Sequence, residues 1–202
     1  MGKLLIVNGS PRAPQSNSKQ YANLFLLEWR GEAEVYQVTE KRHEEICHKL
    51  DQYSDLLLVF PLYADSLPVT LMYFLKELER HLPGKMPTVH VLINCGFLEP
   101  EQNFAALEIV RLFCRKNGCA FGTALCIGAG EAILTTPFAF LVKRKIKAMV
   151  KRIHSGSPAI LKVSMFLPKR VFLRASTQYW IQRGKKHHLT REEMETMDIE
   201  GK

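Results

Sequence analysis

Lys3 to Ser18 reads KLLIVNGSPRAPQSNS, an apolar run that breaks into glycine, proline and small hydroxyl or amide residues. Leu4, Leu5, Ile6 and Val7 are continuous, the pattern of a central parallel strand buried on both faces. Beyond the loop, Tyr21, Leu24, Phe25 and Glu28 recur at helical spacing, and Asn17 or Ser18 is placed to cap that helix. The loop therefore lies at a helix's positive end, where free N–H groups and the macrodipole favour an anion. Ser10, Ser16 and Ser18 bring hydroxyl donors, Asn17 an amide, and Arg12 a planar fork suited to phosphate oxygens. Gly9 permits a sharp turn and close backbone approach, while Pro11 and Pro14 stiffen the excursion. The competing reading is a solvent-exposed turn after an edge strand. Turns use the same residues, but seldom collect this many donors before a helix cap.

Two familiar phosphate motifs are excluded. No Gly-x4-Gly-Lys-Ser/Thr string follows Gly9, and the three spaced glycines of a dinucleotide fingerprint are absent. Two later loops share the character of the first. Asp55 to Phe60, DLLLVF, is a second buried-strand pattern running into PLYADSLP, and Pro68 opens a helix whose Leu71, Phe74, Leu75 and Leu78 cover the sheet. After Pro61, the backbone of Leu62, Ala64 and Asp65 can bond a flat heterocycle and Tyr63 offers a ring. Thr88 to Ile93, TVHVLI, ends in NCGFLEPEQN. There Asn94 gives an amide, Gly96 a close approach and Phe97 a ring to stack or cap a pocket, with Glu99, Glu101 and Gln102 in solvent. Cys95 has no histidine or second cysteine placed beside it by sequence, so a plain thiol outweighs a nucleophile.

The three strings resemble the loops of the flavodoxin-like NADPH-dependent FMN reductase family. In that family a loop similar to GSPRAPQSNS holds the FMN phosphate, one similar to PLYADSLP packs beside the isoalloxazine ring, and one similar to NCGF meets the flavin's far edge or the nicotinamide. The resemblance implies an FMN-binding set of Ser10, Arg12, Ser16, Asn17, Ser18, Pro61, Leu62, Tyr63, Ala64, Asp65, Asn94, Cys95, Gly96 and Phe97. It implies an NAD(P)H-dependent oxidoreductase that uses NADPH or NADH to reduce a flavin, quinone or other small acceptor, as a homodimer. No catalytic side chain is required, because the chemistry belongs to FMN. A flavodoxin-type electron carrier and a flavin-free binding module are the alternatives.

The 202-residue chain suits one domain, with 47% apolar residues and a formal charge of +8. A basic chain fits an enzyme that attracts anionic cofactors better than an acidic electron carrier. No run reaches the roughly 18 apolar residues of a membrane span, and Met1-Gly2-Lys3 leads straight into the first strand, so a cytoplasmic protein without an integral membrane segment is expected. Five cysteines without Cys-x-x-Cys spacing disfavour disulfides and zinc or iron–sulfur ligation. His43 and His48 lie on the polar side of a helix through residues 43 to 53 whose Ile46, Leu50 and Tyr53 face inward. With further ligands missing, no metal is expected.

Glu34 to Val38 reads as a strand at or near the sheet's edge, and Asn103 to Lys116 as a helix with Leu107, Val110 and Phe113 or Cys114 inward, ending at Gly118. CAFGTALCIGAGEA reads as a fifth strand whose Gly128 and Gly130 let chain and cofactor approach. Pro137 to His154 reads as a helix with Phe138, Leu141, Val142, Lys145, Met149 and Ile153 on one stripe. Its Lys143, Arg144, Lys147, Lys151 and Arg152 form a cationic side best explained as a solvated face, and no recognisable nucleic-acid module is present. The apolar stretch from Ala159 to Phe172 either covers the sheet or meets another subunit. Tyr179 and Trp180 begin a last helical stretch, Thr190 to Glu193 forms a capping box, and Met194 and Met197 pack. The expected architecture is one α/β domain over 1–202: a doubly wound, five-stranded parallel sheet in a flavodoxin-like three-layer sandwich, core about 1–155, with a C-terminal extension about 156–202.

Overall fold

In the computed structural model, residues 2–12 and 15–196 are described. Pro14 and Met197, to which the sequence assigned a stiffening and a packing role, lie outside them. The chain forms two compact units, Met1–Met165 and Phe166–Lys202.

The first unit alternates strand and helix in the expected order. Strands β1 (Leu4–Asn8), β2 (Ala33–Gln37), β3 (Asp55–Pro61), β4 (Thr88–Asn94), β5 (Phe121–Ile127) and β6 (Ile160–Val163) form one sheet ordered β2-β1-β3-β4-β5-β6. Every pairing is parallel. The first five strands give the flavodoxin-type order, whose ligand crevice lies beyond the carboxyl ends of β1 and β3. The sheet has six strands where five were expected. The sixth comes from the stretch left between sheet cover and subunit contact, where Ile160–Val163 pairs with Ala124–Ile127.

Helices α1 (Asn17–Glu28) and α5 (Ala139–His154) pack on each other, while the short α2 (His43–Cys47) packs on α3 (Val69–Arg80). Alternate strand residues define the core beneath α2, α3 and α4 (Phe104–Lys116): Leu5, Val7, Leu56, Leu58, Phe60, Val91 and Ile93 join Tyr36, Ile46, Phe74, Leu78 and Val110 in one buried cluster. Because the crossovers cover both faces, the central strands are buried at every position from Leu56 to Phe60 and from Val89 to Asn94. Each such aliphatic side chain is worth roughly 1.5–3 kcal/mol of burial.

Local differences have local causes. The helix through 43–53 stops at Cys47 and resumes as a 3-10 turn at Leu50–Gln52, keeping Ile46, Leu50 and Tyr53 buried. On α5 the buried stripe is Val142, Ile146, Met149, Val150 and Ile153, with Phe138, Leu141 and Lys145 only half-buried. Lys143, Arg144, Lys147, Lys151 and Arg152 are exposed, as a solvated face requires. Gly118 (φ +66°) follows α4, and the Cys119 N–H closes a 3.0 Å bond to the Cys114 carbonyl, the 6→1 bond of a Schellman end.

The second unit consists of α6 (Lys169–Lys186) and α7 (Arg191–Glu195). Helix α6 begins ten residues before Tyr179, which with Trp180 lies in its middle instead of at its start. Thr190 caps α7 with Glu193 completing the box, and Met194 lies against Gly184. Among the described residues, no helix is long and apolar enough to cross a membrane.

One side-chain bridge compensates a fault in the sheet. The β4–β5 register shifts between Val89 and Val91, and the Thr123 N–H donates to Nδ1 of buried His90 at 2.9 Å. That bond fixes the tautomer, so Nε2–H donates to Asp55 Oδ1 at 3.0 Å. Burial opposes the Asp55 carboxylate, but hydrogen bonds from His90 and Ser54 outweigh it and hold its pKa below the ordinary value. A depressed folded-state pKa contributes stability above the unfolded pKa of about 4, and that contribution is lost as pH falls through the folded value. The urea midpoint of the native chain is therefore expected to fall more between about pH 5 and pH 3 than that of Asp55→Asn; equal slopes would show that the carboxylate carries no such linkage.

Candidate functional site

The three informative loops follow β1, β3 and β4, which are neighbours in the sheet, so all three emerge at one carboxyl edge. In the first loop, Ser10 is buried. Its N–H donates to Asn8 Oδ1 at 3.1 Å, and its Oγ accepts from the Arg12 N–H at 3.3 Å. Ser16, not Asn17 or Ser18, is the N-cap of α1, its Oγ accepting from the Lys19 N–H at 3.1 Å. Among the described residues the Ser16 hydroxyl proton has no acceptor. The N–H groups of Asn17 and Ser18 open the helix and have no partner within it. No acid stands in this first turn, so nothing there competes with an incoming anion. Arg12 is exposed, with no ion pair among the described residues. Asn17 Oδ1 accepts from Gln20 Nε2 at 3.0 Å.

Gly9 serves a different neighbour from the one the sequence suggested. A Cβ there would lie 2.8 Å from Leu71 Cδ2, so its smallness admits α3 beside the loop. The Gly9 N–H bonds the Val59 carbonyl at 2.8 Å, tying the first loop to β3.

The second loop makes a tight reversal. Tyr63 and Ser66 exchange backbone bonds of 3.1 and 2.9 Å around Ala64 (φ +46°) and Asp65 (φ +56°), both left-handed. Two successive residues of positive φ define a type I′ turn, usually built with Asn-Gly. The strain of a non-glycine Ala64 is the kind that clusters at ligand sites. The N–H groups of Ala64 and Asp65 take none of the protein's own hydrogen bonds among the described residues. Leu62 differs: its N–H is spent on the Asn94 carbonyl at 2.7 Å. Tyr63, Ala64 and Asp65 are exposed, Pro61 and Leu62 half-buried.

Asn94 joins the loops. It is buried, and its Nδ2 donates to Ser18 Oγ and to the Phe60 carbonyl, each at 3.2 Å. The structure thus commits its amide to the scaffold. Cys95 is buried beside Asn103 Nδ2 at 3.4 Å, and burial pushes its thiol pKa up, against activation as a thiolate. Asn103 Oδ1 is the one buried side-chain oxygen without a partner among the described residues. Gly96 and Phe97 are exposed, and a Cβ on Gly96 would meet nothing within 4 Å.

A fourth segment, weakly marked in the sequence, braces the third loop. Gly130 N–H bonds the Cys95 carbonyl at 2.7 Å, and Tyr21 Oη donates to the Gly130 carbonyl at 2.7 Å. A Cβ on Gly130 would stand 2.8 Å from Asn94 Cβ, and one on Gly128 2.4 Å from the Leu98 carbonyl oxygen. These glycines let chain approach chain. Nothing in the residue types singled out Tyr21 except its place on the buried stripe of α1. Glu101, expected in solvent, is exposed and pairs with Lys162 of β6 at 3.0 Å.

No protein-family model and no curated protein matches the chain. Solved structures do match. The FMN-dependent NADH-azoreductase of Bacillus anthracis, in complex with FMN, aligns with a TM-score of 0.59 at 15% identity, over 76% of this chain and 99% of that one. The NAD(P)H:quinone oxidoreductase of Methanothermobacter marburgensis gives 0.60 at 12%, over 75% and 95%. The Trp repressor binding protein of Bacillus subtilis gives 0.59 at 13%, over 72% and 99%. With the strand order, these likenesses establish a flavodoxin-like α/β fold.

Two substitutions test the site's construction by urea unfolding. Ala64→Gly is expected to raise stability by about 0.5–1 kcal/mol by relieving the left-handed strain; a loss would mean the turn is unstrained. Asn94→Ala is expected to lower stability by about 1–3 kcal/mol, because it strands the Phe60 carbonyl. Asn94→Asp, which sets an acceptor against that carbonyl, should cost at least as much, and unchanged midpoints would remove Asn94 from the scaffold.

Proposed function

We propose that the chain is a member of the NADPH-dependent FMN reductase family and acts as an FMN-dependent NAD(P)H oxidoreductase. It would pass a hydride from NADPH or NADH through bound FMN to a flavin, quinone or other small acceptor. The observation that carries this reading is the meeting of three donor-bearing loops at the carboxyl edge of β1, β3 and β4, with the first N–H groups of α1 unspent. The solved structures that share the fold include an FMN-dependent NADH-azoreductase and an NAD(P)H:quinone oxidoreductase.

The residues fit the group. A phosphate dianion would be held by the N–H groups of Asn17 and Ser18, by hydroxyl protons of Ser10, Ser16 and Ser18, and by the Arg12 guanidinium. Ser18 can donate to the anion while accepting from Asn94, because a hydroxyl does both. The free N–H groups of Ala64 and Asp65 would bond the edge of a flat ring, with Tyr63 and Phe97 as aromatic neighbours. Pro61, Leu62, Asn94 and Cys95 would shape the seat through their backbone, and Gly96 would leave room beside it. Bound FMN would supply the redox chemistry, accepting a hydride and releasing two electrons. The protein's part is to orient the ring and limit water while one face stays open. The +8 charge would draw in the anionic cofactor and nicotinamide. The resemblance of the loops to that family supports extending the proposal to a homodimer, and the composition and motifs of the sequence support extending it to a cytoplasmic protein without a nucleic-acid partner.

The test is to titrate the chain with FMN and then add each reduced nicotinamide. Uptake of yellow colour followed by bleaching within seconds is expected. Uptake without bleaching would mean an electron carrier, and no uptake a flavin-free module. Arg12→Ala should weaken FMN binding by about 1.5–3 kcal/mol, the worth of a charge-assisted hydrogen bond. Equal affinity would free Arg12 of the phosphate role.

A further inference from the structure

Away from this edge, two helices end in the same short pattern. Glu44, in the first turn of α2, stands four residues before its C-cap His48, and Glu77 stands four before His81, the C-cap of α3. Each histidine is the C-cap of its helix: the His48 N–H bonds the Glu44 carbonyl and the His81 N–H the Glu77 carbonyl. Helix α2 packs on α3, and the two imidazole rings come to 4.8 Å between centroids. Ligand atoms of Glu44, His48 and His81 all lie within 4.8 Å of one another. His48 Nε2 is 3.7 Å from Glu44 Oε1, and His81 Nε2 is 3.0 Å from Glu77 Oε1, whose other oxygen pairs with Arg80. Spacing within the 43–53 segment offers no complete ligand set around His43 and His48. Glu44, one turn before His48, supplies one further ligand, and tertiary packing brings His81 from the end of α3.

We propose that Glu44, His48 and His81 form a binding site for a borderline divalent transition-metal ion such as Zn²⁺, with Glu77 orienting the His81 ring. Two imidazoles and a carboxylate are the donor set such ions take, and small rotations close 4.8 Å to the separation of ligands about 2.1 Å from a common ion. A carboxylate bonded to the other nitrogen of a ligating imidazole is the usual outer support of such a site. The end of α3, a helix of twelve residues, adds the negative pole of its dipole. Competing donors are few in the folded first unit. All five cysteines are buried, His90 is bonded on both nitrogens, His43 shares a bond with the Tyr36 hydroxyl, and His154 stacks on Trp29.

The site's consequence is mechanical. A five-residue helix such as α2 has little stability of its own. An ion shared with α3 would staple the β2–β3 crossover to the helix that follows β3. Because α3 starts at the PLYADSLP loop and runs back along the sheet, its end lies away from the candidate cofactor edge. Metal binding would therefore set the stability of the unit without entering its chemistry, and this inference does not depend on the flavin reading.

The experiment is a Zn²⁺ titration of the full chain after dialysis against a chelator, read by competition with a chromophoric zinc indicator and by thermal unfolding. The native chain is expected to take up one ion at this site and to melt at a higher temperature with Zn²⁺ than with chelator. His48→Ala and His81→Ala should each abolish that uptake and that shift, and Glu77→Gln should weaken binding by about 10- to 100-fold. A His187→Ala/His188→Ala double variant controls for the adjacent histidines of the second unit and should retain both effects. Because Glu44 and His48 are exposed, Glu44→Gln gives a second reading in a chain whose fold is undisturbed in chelator. The proposal is overturned if the native chain takes up no Zn²⁺ in the titration, or if the His48 and His81 variants bind and melt like the native chain with Zn²⁺.

Discussion

One buried amide links all three elements of the carboxyl edge. Asn94 reaches the start of α1 through Ser18 and the end of β3 through Phe60, while its carbonyl takes the Leu62 N–H. Loops that leave adjacent parallel strands have no ladder to fix their spacing once the strands end, and a buried polar group that satisfies several partners supplies it. Gly130 then matters because a side chain there would press on Asn94 itself. The donors left over, at Ser10, Ser16, Ala64 and Asp65, are those the scaffold does not need. That division between committed and uncommitted polar groups is what would set a binding edge apart from an ordinary set of crossovers.

The legible part of the sequence was its periodicity. β1 and β3 announce themselves as unbroken apolar runs, and β4 and β5 as largely apolar ones interrupted by His90 and by Gly122 and Thr123, because crossovers on both faces leave no side of a central strand in water. α3 and α4 were legible for the complementary reason, since each must keep one apolar face on the sheet and one polar face outside. Caps and boundaries were less so. Ser16, Asn17 and Ser18 are all good N-caps, and backbone angles rather than residue preference decided for Ser16.

What could not be read locally depended on contacts between distant segments. Ala64 and Asp65 carry no glycine to advertise a left-handed turn, and only the Tyr63–Ser66 pairing shows that the chain accepts the strain. His90 looks like one more strand residue until the β4–β5 register shift leaves the Thr123 N–H for it to accept. His48 and His81 were each unremarkable alone. Their meeting follows from how α2 lies on α3, which no spacing within either helix encodes.

The sixth strand joins the two themes of sheet and site. Ile160–Val163 was hard to assign because it is short, interrupted by Lys162 and buried only at Val163, as an edge strand with one neighbour is. Yet it does more than lengthen the sheet. Ser164 donates its hydroxyl to the Leu98 carbonyl, Lys162 pairs with Glu101 and lies 5.0 Å from the Phe104 ring centroid, and the Gly128 N–H bonds the Val163 carbonyl at 2.8 Å. Each contact falls on the segment after β4 or on the turn that supports it. A five-stranded sheet would leave that segment braced only from the α1 and β5 side, through Asn94, Tyr21 and Gly130, whereas here it is held between α1 and β6. The lysine that obscured the strand in the sequence is one of the groups that fixes the third loop, so the same residue hides the element and explains its presence.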